Sequence, residues 1–137
     1  LQLLYTHFSP SAERFARGLV AAGLADHADY LPFDDAGDVE ALLDALRPSA
    51  LVFAKLDVWP VLAERAARRG VRLALVSATL APGSSRGRGL SAALLHDAYA
   101  ALDAVGAISA DDAARLVTLG VRPDRVQVTG DTRADQV

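Results

Sequence analysis

Short apolar runs alternate with amphipathic, helix-like stretches from one end of this chain to the other. That alternation is the signature of repeated βα units rather than of a bundle or a sandwich. Its clearest instance is Leu51-Val52-Phe53-Ala54, a run of the kind that fills the middle of a parallel sheet, with Pro60, a good first residue for a helix, shortly after it. The segment between, Lys55-Leu56-Asp57-Val58-Trp59, holds the only lysine and the only tryptophan. It falls at the carboxyl end of a strand, the edge where open α/β sheets bind ligands.

The other elements follow from the same reading. Leu1 to Thr6 reads as a first strand, and Ser9-Pro10 offers a helix cap and a first-turn proline. Ala12, Phe15, Ala16, Leu19 and Val20 then recur at helical spacing up to Gly23, giving a stripe expected to pack on the sheet. A short strand at Asp29 to Leu31 precedes a helix whose Val39, Leu42, Leu43 and Leu46 share a face and which Pro48 ends. Ala50 to Ala54 is a strand. The Pro60 helix turns Leu62 and Ala66 inward and finishes in Arg68-Arg69-Gly70, cations suited to the negative end of the helix dipole. Arg72 to Ser77 makes a fourth strand, and Ala81 to Gly89, rich in Gly, Ser and Arg, is expected to be a mobile loop. A helix carrying Leu90, Leu94, Leu95 and Ala98, a strand at Val105 to Ile108, a helix from Asp111 to Leu119 between Ser109 and Gly120, and a strand at Val126 to Thr129 complete the pattern. Ser109 with Asp112 approximates a capping box.

At 137 residues, 52% of them hydrophobic, the chain is the size of one domain with a real core. It has no cysteine, which excludes disulfides, thiolate metal sites and cysteine nucleophiles, and no apolar stretch approaches the ~18 residues of a membrane span. It also has no methionine and starts at a bulky Leu1, so it is expected to be a piece of a longer protein.

Several chemistries are excluded by motif. His7, His27 and His96 belong to no spacing pattern, and Lys55 follows no glycine run, so there is no P-loop. The turn His7-Phe8-Ser9-Pro10-Ser11 lacks the glycines a dinucleotide pyrophosphate requires. Neither a cofactor nor a metal is expected. Ser9 and Ser11 at a helix start could bind an anion or merely cap the helix. Lys55 and Asp57 could face a ligand with Trp59 as an apolar wall, or form a solvated turn beside a core tryptophan. Arg86 and Arg88 could engage phosphates, although such loops are more often linkers.

Four segments, in order, resemble the N-terminal domain of the 3-deoxy-D-manno-octulosonic acid (Kdo) transferases of lipopolysaccharide assembly. They are Phe8-Ser9-Pro10-Ser11-Ala12, Asp57-Val58-Trp59-Pro60, Leu75-Val76-Ser77-Ala78-Thr79-Leu80 and Val128-Thr129-Gly130-Asp131-Thr132-Arg133. The resemblance implies an α/β fold, a Rossmann-like three-layer α/β/α domain with a mostly parallel sheet that forms the N-terminal half of a GT-B glycosyltransferase. Residues 1–130 would be the acceptor-side domain, and residues 131–137 would begin the interdomain linker.

By the same resemblance, Ser9, Ser11, Lys55, Asp57, Trp59, Ser77 and Thr79 line the acceptor side of the cleft, while Gly130, Asp131, Thr132 and Arg133 sit at the hinge. The acceptor would be a lipid A precursor or another anionic glycan. CMP-Kdo would be held by a C-terminal domain, and the parent would lie at the cytoplasmic face of the inner membrane; no nucleic acid is expected as a partner. A Gly-Glu motif with the general-base glutamate would precede Leu1, so this piece alone should be inactive. The chain departs from the family in carrying Lys55 where an acid is usual, and Ser77-Ala78-Thr79 where the family has Asn-Ala-Arg. A lysine there favours an acceptor phosphate or carboxylate. The competing readings are another GT-B enzyme or a sugar-nucleotide epimerase, and a non-catalytic Rossmann-like module that binds an anionic ligand or a protein.

Overall fold

A computed structural model describes residues 1–84 and 89–132. The chain divides into two compact units, 1–33 and 34–137. The mobility expected around Arg86 and Arg88, and the hinge role of Arg133, concern residues outside those described.

In the first unit, β1 (Leu4–His7) and β2 (His27–Tyr30) pair in parallel, joined by a 3-10 turn (Pro10–Ala12) and helix α1 (Glu13–Ala21). β1 starts later than the expected Leu1, and the backbone of Leu3 is drawn into the turn before β2. Its N–H donates to the Asp26 carboxylate at 2.6 Å, and its carbonyl accepts the Asp26 N–H at 2.9 Å. The stripe of α1 is not packed as expected: Ala16 is buried, but Phe15 is 61% exposed and packs edge-on to the Tyr5 ring, with centroids 6.0 Å apart.

The second unit begins with α2 (Ala36–Leu46), which the Asp35 carboxylate caps by accepting the N–H groups of Gly37 and Asp38, both at 3.0 Å. It continues through β3 (Ala50–Ala54), α3 (Pro60–Arg68), β4 (Arg72–Ala78), α4 (Gly89–Ala100), β5 (Ala104–Ala107), α5 (Ala110–Leu119), a second 3-10 turn (Pro123–Arg125) and β6 (Val126–Val128). These strands form a parallel sheet in the order β3-β4-β5-β6. Each connection steps to the next strand in the same direction, so the right-handed crossover rule sets α3, α4 and α5 on one face. The buried residues agree: Phe53, Leu73, Leu75, Val105 and Ala107 from the strands share a core with Leu62, Ala66, Tyr99 and Leu116 from the helices. The fold is α/β with parallel sheets, as the alternation implies.

The basic end of α3 does more than meet the helix dipole. Arg65 bonds Glu40 at 3.0 Å, and Arg69 pairs with Glu40 and, at 2.7 Å, with Asp44, tying α3 to α2. No described helix is long and apolar enough to cross a membrane.

Candidate functional site

The expected site residues fall into two groups. Ser9 and Ser11 lie in the first unit and bond each other, Oγ to Oγ at 2.7 Å, while Ser9 Oγ accepts the Ser11 N–H at 3.3 Å. Both are exposed, and Ser9 caps the 3-10 turn rather than α1 itself.

The second group gathers at the carboxyl end of the four-stranded sheet. Lys55 directly follows β3; its N–H donates to the Val76 carbonyl at 2.9 Å, which extends the strand pairing and brings it next to Ser77. Lys55 has φ 62° and Ser77 φ 49°. Left-handed backbone in a non-glycine residue is uncommon, and such residues cluster where structure is held in place for function. Here two stand at the ends of neighbouring strands. A register shift between Leu75 and Ala78 marks a bulge that re-aims Ser77. The Lys55 and Asp57 side chains are exposed, Trp59 is half-buried and Ser77 is buried.

Not every expected residue presents a free group. Ser77 Oγ lies 2.7 Å from Thr132 Oγ1, so its hydroxyl is tied to the segment after β6. The Thr79 hydroxyl donates to Asp112 at 3.0 Å. Among the seven acceptor-side candidates, Lys55 and Asp57 extend charged groups to solvent from the sheet edge.

Two acids organise this edge, and neither stood out as a site residue in the sequence. The Asp34 carboxylate accepts the N–H groups of Val61 at 3.0 Å and Leu62 at 2.8 Å, capping α3 and fixing the start of the Trp59-Pro60 element from 27 residues away. Asp112, buried, accepts from Ser109 Oγ at 2.6 Å, from the Leu80 N–H at 2.8 Å and from Thr79, with Arg115 3.3 Å away. Arg115 in turn donates to the Leu80 carbonyl. Burial pushes the Asp112 carboxyl up, but the bonds from Ser109, Leu80, Thr79 and Arg115 together outweigh it and hold the group at about 2. The only signal for Asp112 was its capping-box spacing from Ser109, which says nothing of its reach to Thr79 and Leu80.

Half-buried Trp59 lacks the full burial that would make its removal costly. Trp59→Ala is therefore expected to destabilise by about 1.5–2.5 kcal/mol, below the ~3–5 of a fully buried ring, as read by urea unfolding followed by circular dichroism.

Residues 1–136 match the profile of the 3-deoxy-D-manno-octulosonic-acid transferase (kdotransferase) family, in its N-terminal domain. The chain belongs to this family. A Kdo transferase from Bordetella pertussis is 32% identical over 139 residues, covering 98% of this chain but 32% of that protein. The chain thus spans about a third of the length of that curated Kdo transferase. Among solved structures, the UDP-GlcNAc 2-epimerase of Neisseria meningitidis matches with TM-score 0.63 and 14% identity, over 96% of this chain and 38% of that one. The corresponding enzyme of Methanocaldococcus jannaschii matches with TM-score 0.62 and 16% identity, over 95% and 38%. These likenesses concern the fold of this chain alone.

Proposed function

We propose that this chain is the acceptor-binding half of a Kdo-transferase-like glycosyltransferase, which transfers Kdo from a CMP-activated donor to a lipid A precursor or related anionic glycan. Residues 1–130 would make the acceptor side and residues 131–137 would open the linker to the half that holds the donor, with Gly130, Asp131, Thr132 and Arg133 at the hinge. The parent would work at the cytoplasmic face of the inner membrane. By the family resemblance the general base would come from a segment outside these residues, and the 137-residue chain would bind without turning over.

The observation that carries this reading is the exposure of Lys55, on left-handed backbone, and of nearby Asp57 at the carboxyl edge of a sheet in a chain of this family. Lys55 supplies a compact positive charge for an acceptor phosphate, Asp57 an acceptor for sugar hydroxyls, and Trp59 an apolar wall. Ser9, Ser11, Ser77 and Thr79 are proposed as the remainder of the acceptor side, Ser77 and Thr79 through the backbone they hold rather than through free hydroxyls.

The test is an NMR titration of the chain with a lipid A disaccharide bisphosphate headgroup, with CMP in parallel. Amide shifts at Ser9, Lys55 and Trp59 with the headgroup alone are expected; a response to CMP alone would assign the chain to the donor side. Lys55→Glu is expected to weaken headgroup binding by about tenfold, the size of one exposed charge contact reversed. Unchanged affinity would remove Lys55 from the site.

A further inference from the structure

The turn that carries Lys55 and Asp57 has a backbone its own residues do not favour. The Asp57 N–H donates to the Ala54 carbonyl at 3.1 Å, closing a β-turn whose two central residues are Lys55 and Leu56. Its φ is positive at Lys55 and not at Leu56. Turns of that kind take glycine at the first central position, because a side chain crowds left-handed backbone. Here that position holds the only lysine of the chain. Lysine has no preference that would keep this conformation, so neighbouring groups hold it.

The turn is fixed on two sides. On the strand side the Lys55 N–H is bound by the Val76 carbonyl of β4. On the inner side the Leu56 carbonyl accepts two donors, the Val58 N–H at 2.9 Å and the Tyr99 hydroxyl at 3.2 Å. Tyr99 comes from α4, 43 residues further along, and is the largest fully buried side chain among the described residues. Packing alone would be served by phenylalanine, which has the same ring and takes no hydroxyl out of water. What the hydroxyl adds at this turn is the bond to Leu56.

We propose that Tyr99 is the positioning residue of the Lys55–Asp57 turn. The Ala54–Lys55 peptide is held by β4 and the Leu56–Asp57 peptide from within the core. Both ends of the turn are thereby set, and with them the directions in which Lys55 and Asp57 leave the sheet edge. A preset turn can meet a glycan phosphate and a neighbouring hydroxyl without first being ordered. That consequence for binding rests on the proposed acceptor role; the positioning rests on the bonds alone.

The test is Tyr99→Phe in the 137-residue chain, which removes the hydroxyl and keeps the ring. By NMR, backbone order parameters should fall at Lys55, Leu56 and Asp57 and hold at Phe53 and Leu75, and the three-bond coupling at Lys55 should lose its left-handed value. A merely structural role would lower the melting temperature and leave the turn as it is; that result would overturn the proposal. Affinity for the lipid A disaccharide bisphosphate headgroup should fall by about three- to tenfold, the size of one hydrogen bond, and by less in a Lys55→Ala background. A loosened turn with undiminished affinity would separate Tyr99 from the site and overturn the proposal as well. No headgroup binding by the unsubstituted chain would defeat the acceptor role alone, and the order parameters would still decide the role of Tyr99. If the variant fails to fold, the Tyr99 hydroxyl proton of the unsubstituted chain decides. Slow exchange, seen as a split Cζ resonance in mixed light and heavy water, supports the bond, and exchange as fast as that of a free phenol overturns it.

Discussion

Asp112→Ala is expected to lower the free energy of unfolding by about 3–5 kcal/mol, the loss that follows when one partner is removed from a buried charged network. The carboxylate collects donors from Ser109, Leu80, Thr79 and Arg115, and the alanine variant leaves the Leu80 N–H and two hydroxyls without their acceptor. Asp112→Asn keeps an oxygen in place and should cost about 1–2 kcal/mol. The pH dependence separates charge from shape. The folded carboxyl titrates at about 2 against an ordinary 3.8, so between those values the unfolded chain binds a proton that the folded chain does not. Stability from this group is complete above about pH 5 and is lost as pH falls through 4 towards 2, by about 2 kcal/mol. Asp103, held below its ordinary value chiefly by the Leu73 N–H and then by Arg72, acts in the same direction. Urea unfolding between pH 7 and pH 2.5, read by Trp59 fluorescence, should therefore show a steeper acid loss in the parent than in Asp112→Asn. Equal slopes would refute the assignment.

Gly120→Ala is expected to cost about 3 kcal/mol or more, from a left-handed backbone and an overfilled contact acting together. Gly120 has φ 137°, and a Cβ there would lie 2.7 Å from the main-chain carbonyl oxygen of His96 on α4. Backbone cannot swing aside as a side-chain tip can, so α4 and the end of α5 would have to separate. Thermal unfolding measures the loss, and the double variant with His96→Ala discriminates its cause. Because the obstruction is the carbonyl, removing the imidazole should restore little, and full rescue would place the clash on the ring instead.

The sequence reads as a helix stop at Gly120 because a glycine follows the last apolar position; that it also lets two helices approach is invisible from one strand of text. The same boundary runs through the rest of the chain. Ala50 to Ala54 is legible as a strand to the residue because a continuous apolar run needs no knowledge of its neighbours. The lysine and aspartate at its end are legible as edge residues for the same reason. The left-handed backbone of Lys55 and Ser77 is not, since neither residue type prefers it; Ser77 lies where the register between β4 and β5 shifts. The Asp34 cap on α3 and the reach of Asp112 to Thr79 span 27 and 33 residues, contacts that no local pattern encodes. Periodicity misleads at α1, where helical spacing correctly marks a stripe but Phe15 remains mostly exposed.

A pyrophosphate arriving at the carboxyl edge of the four-stranded sheet would meet two helix starts where side chains already accept from the backbone amides. The amides opening α3 face Asp34, those of α5 face Ser109, and Asp112 lies beside them. At α3 an incoming phosphate would have to displace the Asp34 carboxylate and at α5 it would meet the repulsion of Asp112, so neither of these two helix starts welcomes a nucleotide's phosphates. Under the proposed acceptor role, discrimination among anions would pass instead to the exposed charge of Lys55, whose pull on a glycan phosphate would fade as salt rises.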